Sequence, residues 1–169
     1  MDIYEFAKQF EMDGREYYLK LAKESSSEYL AQLFNMLAND ERQHYEIVSK
    51  LQENDAEYVP SDNFGEVRTI FRRYLDANET FEAEITKLEA YAHAVELEKE
   101  SFDFYREQGE KANNPVEREI LYRIANEEMK HQIMLENLMD LIRKPEEWVE
   151  SPEFSHLPEY DHFTDMDVY

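Results

Sequence analysis

The feature that most constrains this chain is a repeated pairing. A glutamate sits in the apolar stripe of one helix, and a Glu-x-x-His follows thirty residues later in the stripe of the next. Residues 37–44 read LANDERQH and residues 124–131 read IANEEMKH, so both contain A-N-acid-E-x-x-H. In the first copy the stripe runs Leu30, Leu33, Leu37, Glu41, His44, Val48, Leu51; in the second it runs Leu121, Ile124, Glu128, His131, Leu135, Leu138, Ile142. The three-four alternation of an amphipathic helix is unbroken in both, so Glu41, His44, Glu128 and His131 occupy places where a core side chain belongs. The helices before them repeat the anomaly. Ile3, Phe6, Ala7, Phe10, Tyr17, Tyr18 and Leu21 form a stripe that contains Glu11; Ile85, Leu88, Ala92, Val95, Phe102 and Tyr105 form one that contains Glu98.

Aligned without gaps, residues 1–52 and 88–139 share nine identities: Tyr4/Tyr91, Ala7/Ala94, Glu11/Glu98, Tyr18/Tyr105, Ala38/Ala125, Asn39/Asn126, Glu41/Glu128, His44/His131 and Leu51/Leu138. The stripe glutamates, both histidines and one tyrosine per half all coincide. This marks an internal repeat of one supersecondary unit.

The spacing then fixes the level at which these side chains meet. The midpoints between the paired glutamates are Ser26 and Asn113, inside turn-forming stretches. Ser25, Ser26 and Ser27 offer cap hydroxyls, while Asn113-Asn114-Pro115-Val116-Glu117 reads as a cap, a proline at the first helical position and an acid at the third. Residues fifteen before and fifteen after a tight turn lie side by side in an antiparallel hairpin, roughly 22 Å from the turn. Glu11 therefore faces Glu41, and Glu98 faces Glu128. His44 and His131 lie one turn further along the same faces. Two such hairpins share a core about a pseudo-two-fold axis if their turns lie at opposite ends, which needs a connection as long as the bundle. Residues 53–78 are long enough, with a short amphipathic helix expected at 64–75 presenting Phe64, Val67, Phe71 and Tyr74 inward. The expected fold is an all-α four-helix bundle over residues 1–144 with a long crossover between its second and third helices. An irregular acidic and aromatic tail, 145–169, is expected to pack on it through Trp148, Phe154 and Leu157.

Composition agrees: the chain has only three glycines and five prolines, and no cysteine, which removes disulfides, thiolate metal sites and thiol nucleophiles. The net charge of −22 argues against nucleic acid or an anionic membrane as partner. The acidic, amphipathic start MDIYEFAKQFEMDG is unlike a signal or transit peptide, and no apolar run approaches the ~18 residues of a membrane span, so a cytoplasmic protein is expected.

Four carboxylates buried together without partners are untenable, because each costs several kcal/mol to desolvate and they repel one another. Two divalent cations balance four negative charges, and carboxylate oxygen with imidazole nitrogen suits iron, manganese or zinc. Two glutamates can bridge the metals, two can cap the ends, and each metal takes one histidine. Glu-x-x-His alone is weak evidence in a chain with 29 glutamates: Glu153/His156 and Glu159/His162 also fit it. Those copies lie in the proline-rich tail and lack a glutamate thirty residues earlier, where Arg123 and Met129 stand. His93 aligns with Phe6 and reads as a bundle or surface histidine. Tyr18 and Tyr105, seven residues after a stripe glutamate, are either core aromatics or phenols that bond a ligand carboxylate or take part in redox chemistry. Asp40 and Glu127 could steady a histidine.

With Glu11, Glu41, His44, Glu98, Glu128 and His131 in place, the chain resembles the rubrerythrin branch of the ferritin-like di-iron carboxylate proteins, over about residues 2–142. The pattern is one Glu from each of two helices and Glu-x-x-His from each of the other two. EMDGREYY and ELEKESFDFY look like that family's first and third helices. The resemblance implies a di-iron centre, with manganese or zinc as alternatives, that reduces hydrogen peroxide in defence against oxidative stress. Such proteins commonly carry a rubredoxin-type domain that delivers electrons; with no cysteine in this chain, an external donor such as a rubredoxin-type protein is implied. The family usually has a further carboxylate three residues after the third-helix glutamate. Here Ser101 stands there, and Gly14 is its symmetry mate, which implies a more symmetric site, closer to a bacterioferritin-type ferroxidase centre.

Three functions remain open: a di-iron oxidoreductase acting on hydrogen peroxide or dioxygen, a ferroxidase or iron-storage protein, and a non-catalytic metal-binding protein. A homodimer or higher homo-oligomer is expected, and hairpin exchange between subunits would also complete the site.

Overall fold

The computed structural model describes residues 2–55, 57–61, 64–77 and 82–144. The expectations for the 145–169 tail, including Trp148, His156 and His162, lie outside the described residues, as does the side chain of Phe64. Six helices appear among the described residues and no strand: α1 (Ile3–Glu24), α2 (Glu28–Gln52), α3 (Phe64–Asp76), α4 (Glu82–Ile85), α5 (Leu88–Lys111) and α6 (Pro115–Arg143). No helix among them is long and apolar enough to cross a membrane.

α1 packs on α2 and α5 on α6, giving the two hairpins of the expected bundle. The turns fall at 25–27 and 112–114. Asn114 caps α6 as its sequence implies: its side-chain oxygen accepts from the amides of Val116 at 2.9 Å and Glu117 at 3.5 Å, with Pro115 beside it at the helix start. The serine turn departs from expectation. Ser27 occupies the cap position, but its hydroxyl is buried without a partner. Ser25 closes the turn instead, its hydroxyl oxygen accepting from the Ser27 amide at 3.3 Å, and Ser26 donates to Glu84 at 2.6 Å. The tertiary contact with α4 holds this turn where a local cap was expected. α2 ends on Asn54, whose positive φ of 59° lets the Asn54 and Asp55 amides return to the carbonyls of Leu51 and Lys50.

All seven stripe positions of α2 are buried. In the stripe of α1, Ala7, Tyr18 and Leu21 are buried and Phe10 and Tyr17 half-buried, while Ile3 and Phe6 are exposed. Ile85 is also exposed: α5 begins only at Leu88, and Ile85 belongs to the separate turn α4. Within the crossover, α3 lies on α2 and buries Val67, Ile70, Phe71 and Tyr74.

The apolar core is divided in two. One cluster, around Phe34, Leu37, Tyr91, Leu135 and Leu138, lies toward the serine turn and includes the buried face of α3. The other, around Val48, Leu51, Leu121, Ile124 and Tyr105, lies toward the asparagine turn. The stripe acids and histidines occupy the level between them, where the two apolar masses exclude water.

Candidate metal centre

All six stripe residues meet at that level, and each is at most 4% exposed. They form two overlapping groups: Glu11, Glu41, His44 and Glu128; and Glu41, Glu98, Glu128 and His131. Within each group one ligand-type atom per residue lies within 4.8 Å of the others, so each can hold a metal ion. Glu41 and Glu128 belong to both. Glu128 spans the groups with its two oxygens, Oε1 at 3.3 Å from His44 Nδ1 and Oε2 at 3.3 Å from His131 Nδ1. Glu11 Oε2 approaches His44 Nδ1 at 3.5 Å, and Glu98 Oε2 approaches His131 Nδ1 at 3.5 Å. Glu41 Oε1 lies 3.2 Å from His131 Nδ1.

These approaches are close but lack hydrogen-bond geometry. Glu11 Oε2, Glu41 Oε1, Glu128 Oε2 and His44 Nδ1 are buried with no hydrogen-bond partner. Four orphaned ligand atoms converging at one level, with His131 Nδ1 beside them, suit a cation, and the all-oxygen-and-imidazole set fits iron, manganese or zinc.

The outer nitrogens are firmly held, and the partners cross between hairpins. His44 Nε2 lies 2.6 Å from Glu127 Oε2 on α6, and His131 Nε2 lies 3.1 Å from Asp40 Oδ2 on α2. Burial opposes ionisation of Glu127, but His44 and the donors around it hold its carboxyl below the usual range. An ionised carboxylate only accepts, so the imidazole Nε2–H donates; in the neutral ring this leaves the Nδ1 lone pair toward the cluster. The phenols cross likewise: Tyr18 donates to Glu98 and Tyr105 to Glu11. Burial, reinforced by the adjacent carboxylates, pushes both phenols well above their ordinary value, so they stay protonated donors.

Without a cation the cluster's ionisation is strained. Burial raises Glu11 and, reinforced by Glu128, Glu98 and Glu11, raises Glu41 further. Burial pushes Glu98 up to about 8, against the pull of His131. The histidines move up too: burial alone would lower them, but Glu128 and Glu11 around His44, and Glu98 and Asp40 around His131, outweigh it. Protons thus stand in for part of the positive charge that these carboxylates require.

Two contributors come from outside the repeat. The Tyr58 hydroxyl and the Ser61 amide, the latter at 3.1 Å, both donate to Glu127 Oε1; the Ser61 hydroxyl donates to Asp40 Oδ1 at 2.7 Å. The crossover therefore clasps both acids that steady the histidines. Sequence spacing gave no sign of this, because Tyr58 and Ser61 sit in a polar stretch with no periodicity.

The expected symmetry of the site also fails at one point. Ser101 donates to Glu128 Oε1 at 2.8 Å, whereas its mate Gly14 has no side chain, and a Cβ there would lie 2.8 Å from Glu41 Oε2. Beside Gly14 a cavity of ≈ 270 Å³ opens between α1 and α5 and reaches Glu41 and Glu98. His93 stands exposed at its rim, its ring 5.4 Å from that of Tyr17.

No curated protein and no solved structure matches the chain significantly. The rubrerythrin family's sequence model matches residues 2–139. That match spans both hairpins, the crossover between them and all six residues of the buried cluster, and the chain belongs to the rubrerythrin family.

Proposed function

We propose that the cluster binds two iron ions and that the protein reduces hydrogen peroxide or dioxygen with electrons from an external donor. The observation that carries this reading is the pair of overlapping four-residue groups at mid-bundle, four of whose buried ligand atoms have no hydrogen-bond partner. Glu11 with His44, and Glu98 with His131, would hold the two outer positions; Glu41 and Glu128 would be shared. When bound, a pair of irons supplies two one-electron couples and open coordination positions.

The chain's own residues do the rest. Glu127 and Asp40 hold the imidazoles with Nδ1 inward, Tyr18 and Tyr105 fix the outer glutamates, and the two apolar clusters keep the level dry. Peroxide reduction to water consumes two electrons and two protons. The protonated phenol of Tyr18 lies on the cavity side, bonded to Glu98, which places a proton next to the exposed half of the cluster. With no cysteine among these residues to hold a rubredoxin-type iron, the reading assigns the electrons to an external donor such as a rubredoxin-type protein.

A ferroxidase is the second reading, favoured by Ser101 and Gly14 standing where a seventh carboxylate would lie. Metal analysis and stopped-flow spectroscopy separate the two. Aerobically purified protein should hold about two irons per chain. Faster re-oxidation of the reduced protein by hydrogen peroxide than by dioxygen supports the peroxidase. Uptake of many irons per chain supports the ferroxidase. A protein that binds no metal at these residues would exclude both.

A further inference from the structure

The two halves of the cluster differ in how they meet the outside. Glu11 and Glu128 are 0% exposed, while Glu41 and Glu98 retain 4% and 3%, and the cavity between α1 and α5 touches only these two. On the other side the partly exposed Phe6 packs against Phe104, ring centroids 5.2 Å apart, while Ser101, which also lines the cavity, donates to Glu128. On the open side Gly14 offers Glu41 no hydroxyl.

The cavity's chemistry defines its occupant. Phe10, Leu97 and the ring of Tyr17, whose hydroxyl is already bonded to the Ala90 carbonyl at 2.7 Å, form its apolar wall, and Asp13, His93 and Ser101 also line it. Its floor is Glu41 and Glu98, and the Asp13 carboxylate in its lining disfavours anions. Its lining is mostly apolar, unlike a path for a hydrated cation. An apolar cavity of about 150 Å³ accommodates benzene, so ≈ 270 Å³ far exceeds the needs of hydrogen peroxide or dioxygen. We propose that this cavity binds an organic hydroperoxide, its small alkyl or aryl body against Phe10, Tyr17 and Leu97 and its –OOH end at Glu41. The assignment of a hydroperoxide rests on the peroxide-reducing reading above; the binding of an uncharged, apolar-bodied molecule rests on the cavity. Reduction of such a substrate breaks its O–O bond and yields the alcohol and water, with two protons from solvent and two electrons from the external donor.

The test uses full-length protein in zinc-loaded and metal-free forms, titrated with 2-phenyl-2-propanol, the redox-inert alcohol that cumene hydroperoxide would yield. Saturable amide shifts at residues 10–18 and 93–101 are expected in the NMR spectrum. Leu97→Trp and Phe10→Trp, each confirmed folded by circular dichroism, fill the cavity away from the carboxylates and should weaken binding about tenfold or more. Phe6→Trp, on the other side, should leave it unchanged. Absence of saturable shifts in the wild type, or equal binding by both filled variants, overturns the proposal. So does slower iron uptake in the filled variants with alcohol binding intact, which would make the cavity a metal path. With iron-loaded protein, consumption of hydrogen peroxide without alcohol binding would leave the peroxidase reading standing and remove this one. Alcohol binding with neither peroxide consumed would do the reverse for the binding site and the peroxidase.

Discussion

The His44 half and the His131 half of the centre are built from matching residues at matching heights, yet their surroundings differ. Around His44, Glu11 is sealed and Glu128 is bonded by Ser101; around His131, Glu41 faces Gly14 and a cavity. The outer support differs as well. Glu127 reaches His44 at 2.6 Å and accepts two hydrogen bonds from the crossover, while the shorter Asp40 reaches His131 at 3.1 Å. The comparison teaches that a duplicated scaffold can keep matching residues at matching heights and still give its two halves different surroundings. A missing hydroxyl and one methylene are enough.

The largest way to break the comparison is to remove an acid that both halves share. Glu128→Ala should abolish binding at both positions, whereas Glu11→Ala or Glu98→Ala should cost only its own half, leaving about one metal per chain. Elemental analysis of the three purified variants checks this, and equal metal content in all of them would contradict the shared role of Glu128.

Next comes pH. Glu98 has its folded value raised from 4.5 to about 8 by burial, so the metal-free folded state holds a proton that the unfolded chain releases at lower pH. Its contribution to stability is full below about 4.5 and is lost as pH rises toward 8. The raised histidines act in the same direction. Metal-free protein should therefore show a melting temperature that falls across this window, and saturating zinc should flatten the fall. A melting temperature that rises with pH in the metal-free protein would show that the carboxylates are not desolvated together.

A smaller effect separates the supports of the two histidines. Tyr58→Phe removes a donor to Glu127 and should weaken the metal held with His44 about tenfold, with little effect on the other. Competition with a chelator resolves the two sites; equal weakening of both would show that the crossover clasps the centre as one unit.

The smallest effect compares the hairpin turns. Asn114→Ala deletes a working cap and should cost about 1 kcal/mol. Ser27→Ala deletes a buried hydroxyl that bonds nothing and should be close to neutral. Denaturant midpoints measure both.

Much of this was legible in the chain. The unbroken stripes placed Glu41, His44, Glu128 and His131 inward, and the turn at each midpoint set Glu11 and Glu98 at their level. Errors arose where local pattern competed with a neighbour. Ser27 has the composition of a cap, but Ser25 and α4 take over its turn. Ile85 fits the helical period, but α5 starts three residues later. Ile3 and Phe6 fit the stripe but stay exposed, Phe6 with its ring against Phe104. Asp40 and Glu127 were candidates to steady a histidine, and each does so for the histidine of the opposite hairpin.

By itself, the sequence determined the bundle, its pseudo-symmetry and the gathering of four carboxylates and two imidazoles. Periodicity fixes which face of a helix a residue takes, and antiparallel register fixes its height; both are properties of the chain alone. Only the tertiary structure decided that the phenols and acids bond across hairpins, that Tyr58 and Ser61 clasp the outer shell, and that Gly14 opens one half. Those outcomes depend on interhelical distances of a few ångströms, where a hydroxyl or a single Cβ settles whether a carboxylate is bonded, bare or exposed.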